Sequence, residues 1–316
     1  MANSWSILRR QTPRVTDRVA EEDRGIGEEM SEGHTAPGQS RDCGDGELLG
    51  VLYEAANAVR GALAEVSDPT RMTARPGHYE IDVVADEAAR AVLLGAGLSV
   101  LSEESGLSEA PSAVARRCLP TEAMPADHGP WCAILDPVDG STNAAHGIPF
   151  FSTSICVVDS QGPRVGVVVN QVTGARYEAV RGRGARLDGR MLRASSCTSL
   201  SRAVVSLNGF PRRHLGWGQF RAFGCASLEL CAVAEGSLDA YGVVGEARLY
   251  PWDYLAGVLL CREAGAVVAD ANDDELVVCD SVPRAPVAAA TPKLLAAWLA
   301  ATREEAPVLS AEPLPK

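Results

Sequence analysis

Two carboxylates three positions apart, Asp136 and Asp139, stand in the segment Asp136-Pro137-Val138-Asp139-Gly140-Ser141-Thr142-Asn143, directly after an apolar run at 131–135. Proline and glycine force a turn there, so both side chains can converge on one point at the C-terminal end of a strand. Such a point suits a hard divalent cation, which takes oxygen ligands that include backbone carbonyls such as that of Val138. Gly140 and Ser141 then open a helix whose unpaired N–H groups would face an incoming phosphate. An Asx-type turn with two solvated carboxylates has the same composition and stays open at this point.

A second acidic element, Leu101-Ser102-Glu103-Glu104-Ser105-Gly106, ends another short apolar strand. Alone it reads equally as a solvated acidic turn. A third is Tyr250-Pro251-Trp252-Asp253-Tyr254-Leu255-Ala256-Gly257, which runs into Arg262-Glu263-Ala264-Gly265-Ala266. Proline at a helix start puts Asp253 in the first turn, where its charge favours the helix dipole and its oxygens can face a ligand. An EF-hand loop fails here, because Val138 and Gly140 occupy positions that need oxygen ligands. A haloacid-dehalogenase-type phosphatase needs two aspartates one residue apart, a lysine and a later acidic pair; Asp136 and Asp139 are two residues apart, although Asp273-Asp274 and Lys293 imitate the remainder. His146 is read as structural, and Arg181-Gly182-Arg183-Gly184 as a hairpin turn.

The elements that must position these residues follow from periodicity. Leu48, Leu52, Ala55, Val59, Leu63 and Val66 recur at the spacing of one helical face, so the folded region starts at Gly46 and this helix ends at Asp68-Pro69. Further helices are expected at about 86–94, 218–235, 252–264 and 292–304, the last with Thr291 as its cap and Pro292 in first position. Strands are expected at 99–102, 131–135, 151–158, 164–172, 175–180, 203–207, 240–244, 267–269, 276–278 and 286–289. The strand at 131–135 should stop at Asp136-Pro137, since proline cannot continue a central ladder. Strand blocks alternate with helices but include tight pairs, as at Thr173-Gly174, so the sheets should be mixed.

At 316 residues the chain is long enough for one large or two medium domains. The expected division is a disordered tail at 1–45, an N-terminal α+β half at 46–160 that carries the metal motifs, a C-terminal α/β half at 161–305 and a flexible tail at 306–316. A formal net charge of −12 leaves no general basic surface to follow a phosphodiester backbone, which excludes nucleic acid as an expected partner. Nine cysteines include no C-x₂-C pair and sit mostly in apolar runs, so reduced thiols in a cytoplasmic protein are expected rather than zinc or disulfides. No long apolar run or export signal is present, which predicts no membrane insertion.

The three acidic elements in this order closely resemble the inositol monophosphatase-like family of magnesium-dependent phosphomonoesterases. Its pattern is an acidic pair after a strand, then D-P-[ILV]-D-G-[ST]-x-N, then W-D-x-x-x-G with E-A-G-[GA], and the likeness covers about residues 46–300. The resemblance implies a layered α/β (α+β) sandwich of the inositol monophosphatase and fructose-1,6-bisphosphatase kind, with mixed sheets and the site between the halves. It implies Mg²⁺, two or three ions per site: Glu103, Asp136 and the Val138 carbonyl would hold the first, and Asp136, Asp139 and Asp253 the second. By the same resemblance Gly140 and Ser141 would contact the phosphate through their backbone, and the Ser141 hydroxyl would orient the attacking water. Asp86 falls where the family has the partner of that hydroxyl, but Val83 stands where the family has threonine, and Asp82 competes for the role. Glu104 would support the site, and Ala226 and Glu246 would touch the substrate's alcohol portion. The activity implied is hydrolysis of a small phosphorylated polyol such as inositol monophosphate, by a homodimer. Sister activities on 3′-phosphoadenosine 5′-phosphate, fructose 1,6-bisphosphate or histidinol phosphate, and a catalytically silent metal- or phosphate-binding protein, stand as alternatives.

Overall fold

The computed structural model describes residues 44–74, 78–110, 131–278 and 281–303. The tails expected before residue 44 and at 306–316, most of the 108–130 connection, and Cys43, Cys118 and Cys279 lie outside the described residues. Helix α1 (Asp45–Glu65) buries the expected face of Leu48, Leu52, Ala55, Val59 and Leu63. Asp45, assigned by sequence to the tail, opens this helix and pairs with Arg164 Nε at 2.9 Å. Helix α2 (Glu80–Gly95) begins well before residue 86, because Asp82 Oδ2 accepts the Tyr79 backbone N–H at 2.9 Å and so closes its first turn.

An eight-stranded sheet contains β1 (Ser99–Ser102), β2 (Gly106–Ser108), β3 (Cys132–Asp139), β4 (Ser152–Asp159), β5 (Gly162–Asn170), β6 (Arg176–Val180), β7 (Ala185–Leu187) and β8 (Arg190–Met191). Their order is β2-β1-β3-β4-β5-β6-β7-β8, with β1 and β3 parallel and the other neighbours antiparallel. A five-stranded sheet follows, built from β9 (Val204–Asn208), β10 (Gln219–Arg221), β11 (Ala240–Val243), β12 (Val267–Asp270) and β13 (Pro286–Ala289) in the order β10-β9-β11-β13-β12. Parallel pairs flank β9, and β13 runs antiparallel to both its neighbours, so both sheets are mixed. A boundary at 160 would cut the β4–β5 hairpin; the chain passes from one sheet to the other between Met191 and Val204.

The remaining helices are α3 (Ser141–Ala145), α4 (Ala226–Glu235), α5 (Pro251–Glu263) and α6 (Pro292–Arg303). Helices α1 and α2 cover one face of the large sheet, α4 and α5 lie between the two sheets, and α6 covers the far face of the small one, giving five layers. Central strands buried on both faces explain the near-continuous apolar runs of the sequence. In β5, Val165, Val167 and Val169 pack towards α1 and α2, while Val168 packs towards α4 and α5. Each such side chain contributes about 1.5–3 kcal/mol of burial. The glycine of the W-D-x-x-x-G pattern has a packing reason: a Cβ on Gly257 would stand 2.5 Å from Leu230 Cβ, so only glycine lets α5 lie against α4 here.

Three local expectations are corrected. Strand β3 continues through Pro137 to Asp139, because the ladder to β4 shifts register between Asp136 and Asp139 and needs no proline N–H there. The helix expected at 218–235 starts only at Ala226, and Gln219–Arg221 is instead an exposed edge strand paired with β9. Residues 276–278 form no strand; Leu276 is buried and its carbonyl accepts the Tyr254 hydroxyl at 2.9 Å. Thr291 does cap α6, its hydroxyl accepting the Leu294 N–H at 3.2 Å. Among the described residues no helix is long and apolar enough to cross a membrane, and the six described cysteines form no disulfide with one another.

Candidate active site

The parallel register Ser102↔Leu135 places Glu103 beside Asp136 where the pairing of β1 with β3 ends, and the Glu103 N–H donates to the Leu135 carbonyl at 3.2 Å. Asp136 pairs with Ser154 on β4, whose hydroxyl donates to the Trp252 carbonyl at 3.2 Å. That bond fastens the first turn of α5 beside Asp136. Asp253, in that turn, accepts the Tyr250 backbone N–H through Oδ2 at 2.6 Å, which fixes the direction of its carboxylate. Glu103, Asp136 and Asp253 consequently bring one ligand atom each to within 4.8 Å of one another.

Asp139 is held differently. Its oxygens accept the backbone N–H groups of Ala226 (3.2 Å) and Ser227 (2.6 Å) and the Cys225 thiol (3.2 Å), so it caps the start of α4 beside the three-carboxylate group. Gly140, at φ 85°, adopts the left-handed backbone. A Cβ there would lie 3.0 Å from the Gly224 carbonyl and 3.2 Å from both Cys225 Cβ and the Phe150 carbonyl, a second reason for glycine. Asn143 of the same motif is structural: its Nδ2 donates to the Phe150 and Phe223 carbonyls at 2.8 and 2.7 Å, tying the segment before α4 to the motif loop.

Negative charge is concentrated in this group. Burial first, then Glu103, Asp139 and Asp253, raise Asp136 well above the usual carboxylate range. Burial and the charges of Glu103 and Asp139 do the same to Asp253. Burial also raises Asp139, opposed by the bonds from Ser227, Cys225 and Ala226. No salt bridge reaches Asp136, Asp139 or Asp253 among the described residues. An all-oxygen cluster of this kind, with Asp136 and Asp139 buried and Glu103 and Asp253 half-buried, is a fitting set of donors for a hard divalent cation.

Several other expected residues have different partners. Asp86 Oδ1 accepts the Ser102 hydroxyl at 2.5 Å and its Oδ2 accepts Arg90 Nη1 at 3.4 Å, so it is engaged by Ser102 and Arg90 rather than by Ser141. Asp82 caps α2, and burial raises its carboxyl to about 7. Glu104 bonds the His78 ring at 2.7 Å. Val138 is buried, its N–H donating to Asp136 Oδ1 at 3.0 Å. Ser141 is the first residue of α3, the Ala226 N–H is engaged by Asp139, and Glu246 is exposed on the loop after β11. His146 is exposed, bonded to the Thr142 carbonyl at 3.0 Å, in keeping with a structural place. The dehalogenase-like set is dispersed: Asp273 pairs with Arg303 at 2.9 Å and Lys293 is exposed on α6.

Sequence reasoning assigned no part to Ser102, Ser154, Ser227 or His78. A serine at the last position of a buried strand, just before an acidic pair, is the signal that would have marked Ser102. The other three are brought in by long-range packing that no local spacing announces.

The chain belongs to the inositol monophosphatase family, a family of metal-dependent phosphatases whose model matches residues 47–307. It is 30% identical over 202 residues to the fructose-1,6-bisphosphatase/inositol-1-monophosphatase of Methanocaldococcus jannaschii, covering 62% of this chain and 72% of that one. The inositol-1-monophosphatase of Rhizobium meliloti is 42% identical over 157 residues, 44% of this chain and 56% of that one. Among solved structures, the extragenic suppressor protein suhB from Bartonella henselae superposes with a TM-score of 0.66 at 25% identity, covering 81% of this chain and 98% of that chain.

Proposed function

We propose that the protein hydrolyses the phosphate monoester of a small polyol, such as an inositol monophosphate, with Mg²⁺ as its cation. The observation that carries this reading is the meeting of Glu103, Asp136 and Asp253 within 4.8 Å. Glu103, Asp136 and the Val138 carbonyl would hold one ion, and Asp136, Asp139 and Asp253 a second. A carboxylate oxygen has more than one lone pair, so Asp139 can keep its bonds to α4 and still face a cation. When bound, Mg²⁺ supplies the positive charge that acidifies a water and neutralises the phosphoryl oxygens. Hydrolysis of phosphate monoesters is among the slowest of uncatalysed reactions, which is why so much buried charge is gathered at one point.

The chain's own groups position and exclude. The backbone N–H groups of Gly140 and Ser141 would hold the phosphate, and the Ser141 hydroxyl would orient the attacking water. Asp86 would act at one remove, through Ser102, and Glu104 would hold the turn that carries Glu103. Ala226 and Glu246 would flank the alcohol portion. The relatives' names include both inositol-1-monophosphatase and fructose-1,6-bisphosphatase, both of which act on phosphorylated, hydroxyl-bearing compounds. The same reading makes the protein a cytoplasmic homodimer, which sedimentation and fractionation would test.

The deciding assay is phosphate release from inositol 1-phosphate, fructose 1,6-bisphosphate, 3′-phosphoadenosine 5′-phosphate and histidinol phosphate, with Mg²⁺ and with chelator. Mg²⁺-dependent turnover, highest on the inositol ester, is the expected result. Mg²⁺ binding without release from any ester would leave a silent metal-binding protein. A phosphorylated Asp136 or Asp139 trapped by mass spectrometry would replace water attack by the dehalogenase-type route.

A further inference from the structure

Beside the carboxylate group lies a second cluster whose chemistry differs from it. The ligand atoms of His78, Asp82 and Glu104 also lie within 4.8 Å of one another. His78 comes from the segment that enters α2, Asp82 from its first turn, and Glu104 from the turn after β1. None of the three belongs to the set proposed above to hold Mg²⁺.

One feature of Asp82 points to a ligand. The residue is 5% exposed, and while Oδ2 serves the α2 cap, Oδ1 is buried with no hydrogen-bond partner among the described residues. A buried carboxylate oxygen left without a donor is unfavourable and calls for a counterpart. The neighbours make the need sharper, because Glu104 adds a second carboxylate and His78 Nδ1 is directed to Glu104 at 2.7 Å. The side chains of His78 and Glu104 are 16% and 8% exposed, so solvent supplies little.

We propose that His78, Asp82 and Glu104 form a second cation site, made for a borderline divalent ion such as Zn²⁺ rather than for Mg²⁺. The imidazole decides the class: one nitrogen and two carboxylates suit Zn²⁺, whereas Mg²⁺ favours oxygen donors and water. An ion there would fasten the segment entering α2 to the turn that also carries Glu103. It would give Asp82 Oδ1 its missing partner. The inference shares Glu104 with the phosphatase reading, where that residue only holds the turn carrying Glu103, and it uses none of the groups proposed to hold Mg²⁺.

The test uses the full chain, stripped with chelator, saturated with millimolar Mg²⁺ to fill the oxygen site, and then dialysed against Zn²⁺. The expected result is one Zn²⁺ per chain that excess Mg²⁺ does not displace, retained in Asp253→Asn and weakened at least about tenfold in both His78→Gln and Asp82→Asn. Cu²⁺ bound in place of Zn²⁺ should show nitrogen hyperfine structure in the wild-type protein and in Asp253→Asn, and lose it in His78→Gln. Melting curves verify that each variant is folded; should Asp82→Asn not fold, His78→Gln decides alone, because His78 lies outside the hydrophobic core. Absence of Mg²⁺-resistant Zn²⁺ in the wild-type protein, or equal Zn²⁺ affinity in His78→Gln, would overturn the site. Phosphate release measured with Mg²⁺ on the same preparation tests the phosphatase reading separately.

Discussion

Replacing Asp253 by asparagine should make the cation-free protein more stable and the enzyme nearly inert. In the absence of cations Asp253 shares a space 4.8 Å across with Glu103 and Asp136. At that separation and an effective dielectric of about 20, each like-charge pair would repel by roughly 3.5 kcal/mol if both members were ionised. Proton uptake relieves part of this, in keeping with the raised carboxyls of Asp136 and Asp253, and on the order of 2–4 kcal/mol of strain remains to be released. Against that gain stand two losses. The Tyr250 N–H, now 2.6 Å from a charged acceptor, would face a neutral one, which forfeits about 0.5–1 kcal/mol. Loss of a negative charge in the first turn of α5 forfeits a further 0.3–1 kcal/mol or so. The balance favours the variant by about 1–3 kcal/mol, or roughly 2–10 °C in melting temperature for a domain of this size. With Mg²⁺ the order should reverse, because the wild-type protein would gain the binding energy and the variant would not. Turnover should fall at least about a hundredfold, the scale of losing one preorganised electrostatic contact. Calorimetry in chelator and across a Mg²⁺ titration, beside phosphate release, reads all three effects. A variant that melts below wild type in chelator would refute the repulsion argument, and wild-type turnover at an unchanged Mg²⁺ requirement would refute the site.

Other perturbations test other parts of the argument. Burial raises Glu229 from 4.5 to about 7 against the bonds from Ser206 and the Phe223 N–H; its folded value lies above its unfolded one, so the stability it lends is complete below about pH 4.5 and lost as pH rises through about 7. The melting temperature of Glu229→Gln should therefore gain on wild type between about pH 5 and pH 8, and parallel curves would contradict the shift. Gly257→Ala should destabilise by about 1–3 kcal/mol in denaturant titrations, since the 2.5 Å approach to Leu230 Cβ outweighs an alanine propensity gain of about 1 kcal/mol. Glu263 accepts the Gly182 and Gly184 N–H groups at 2.8 Å each, so Glu263→Ala should cost about 1–3 kcal/mol and Glu263→Gln less, by the same measurement. Deleting residues 1–43 should leave melting and turnover unchanged, whereas a deletion that continues through Asp45 breaks its ion pair with Arg164 and should lower the melting temperature.

What could be read from the sequence was what local chemistry writes into it. The period of Leu48, Leu52, Ala55, Val59 and Leu63 located α1 because one face of that helix is buried and the other is not. Asp136 and Asp253 were legible because each lies within two residues of a proline in a short motif, one late in an apolar strand and one at a helix start. The start of α2 was hidden, since its cap is an aspartate inside the helix behind a tyrosine, not a serine or threonine in front of it. Pro137 misled because a bulge removes the need for its missing N–H. The edge strand Gln219–Arg221 is exposed, and its pairing depends on β9 rather than on its own residues. Asp86 illustrates the last limit: its partners, Ser102 and Arg90, are decided by how α2 lies on β1, which no spacing along one segment reveals.

The route by which Asp253 reaches Glu103 and Asp136 has a temporal consequence. Glu103 and Asp136 meet through neighbouring strands of one sheet, but Asp253 arrives only when α5 docks in the middle layer, after more than a third of the chain has intervened since Asp136. Closing so long a loop comes late in folding. A cation that needs all three carboxylates has nothing to grip while the chain is still assembling, and so it lends no help on the way in. Once bound, it would act as a latch thrown after the door has shut, lengthening the lifetime of the finished protein while the time taken to reach it stayed the same.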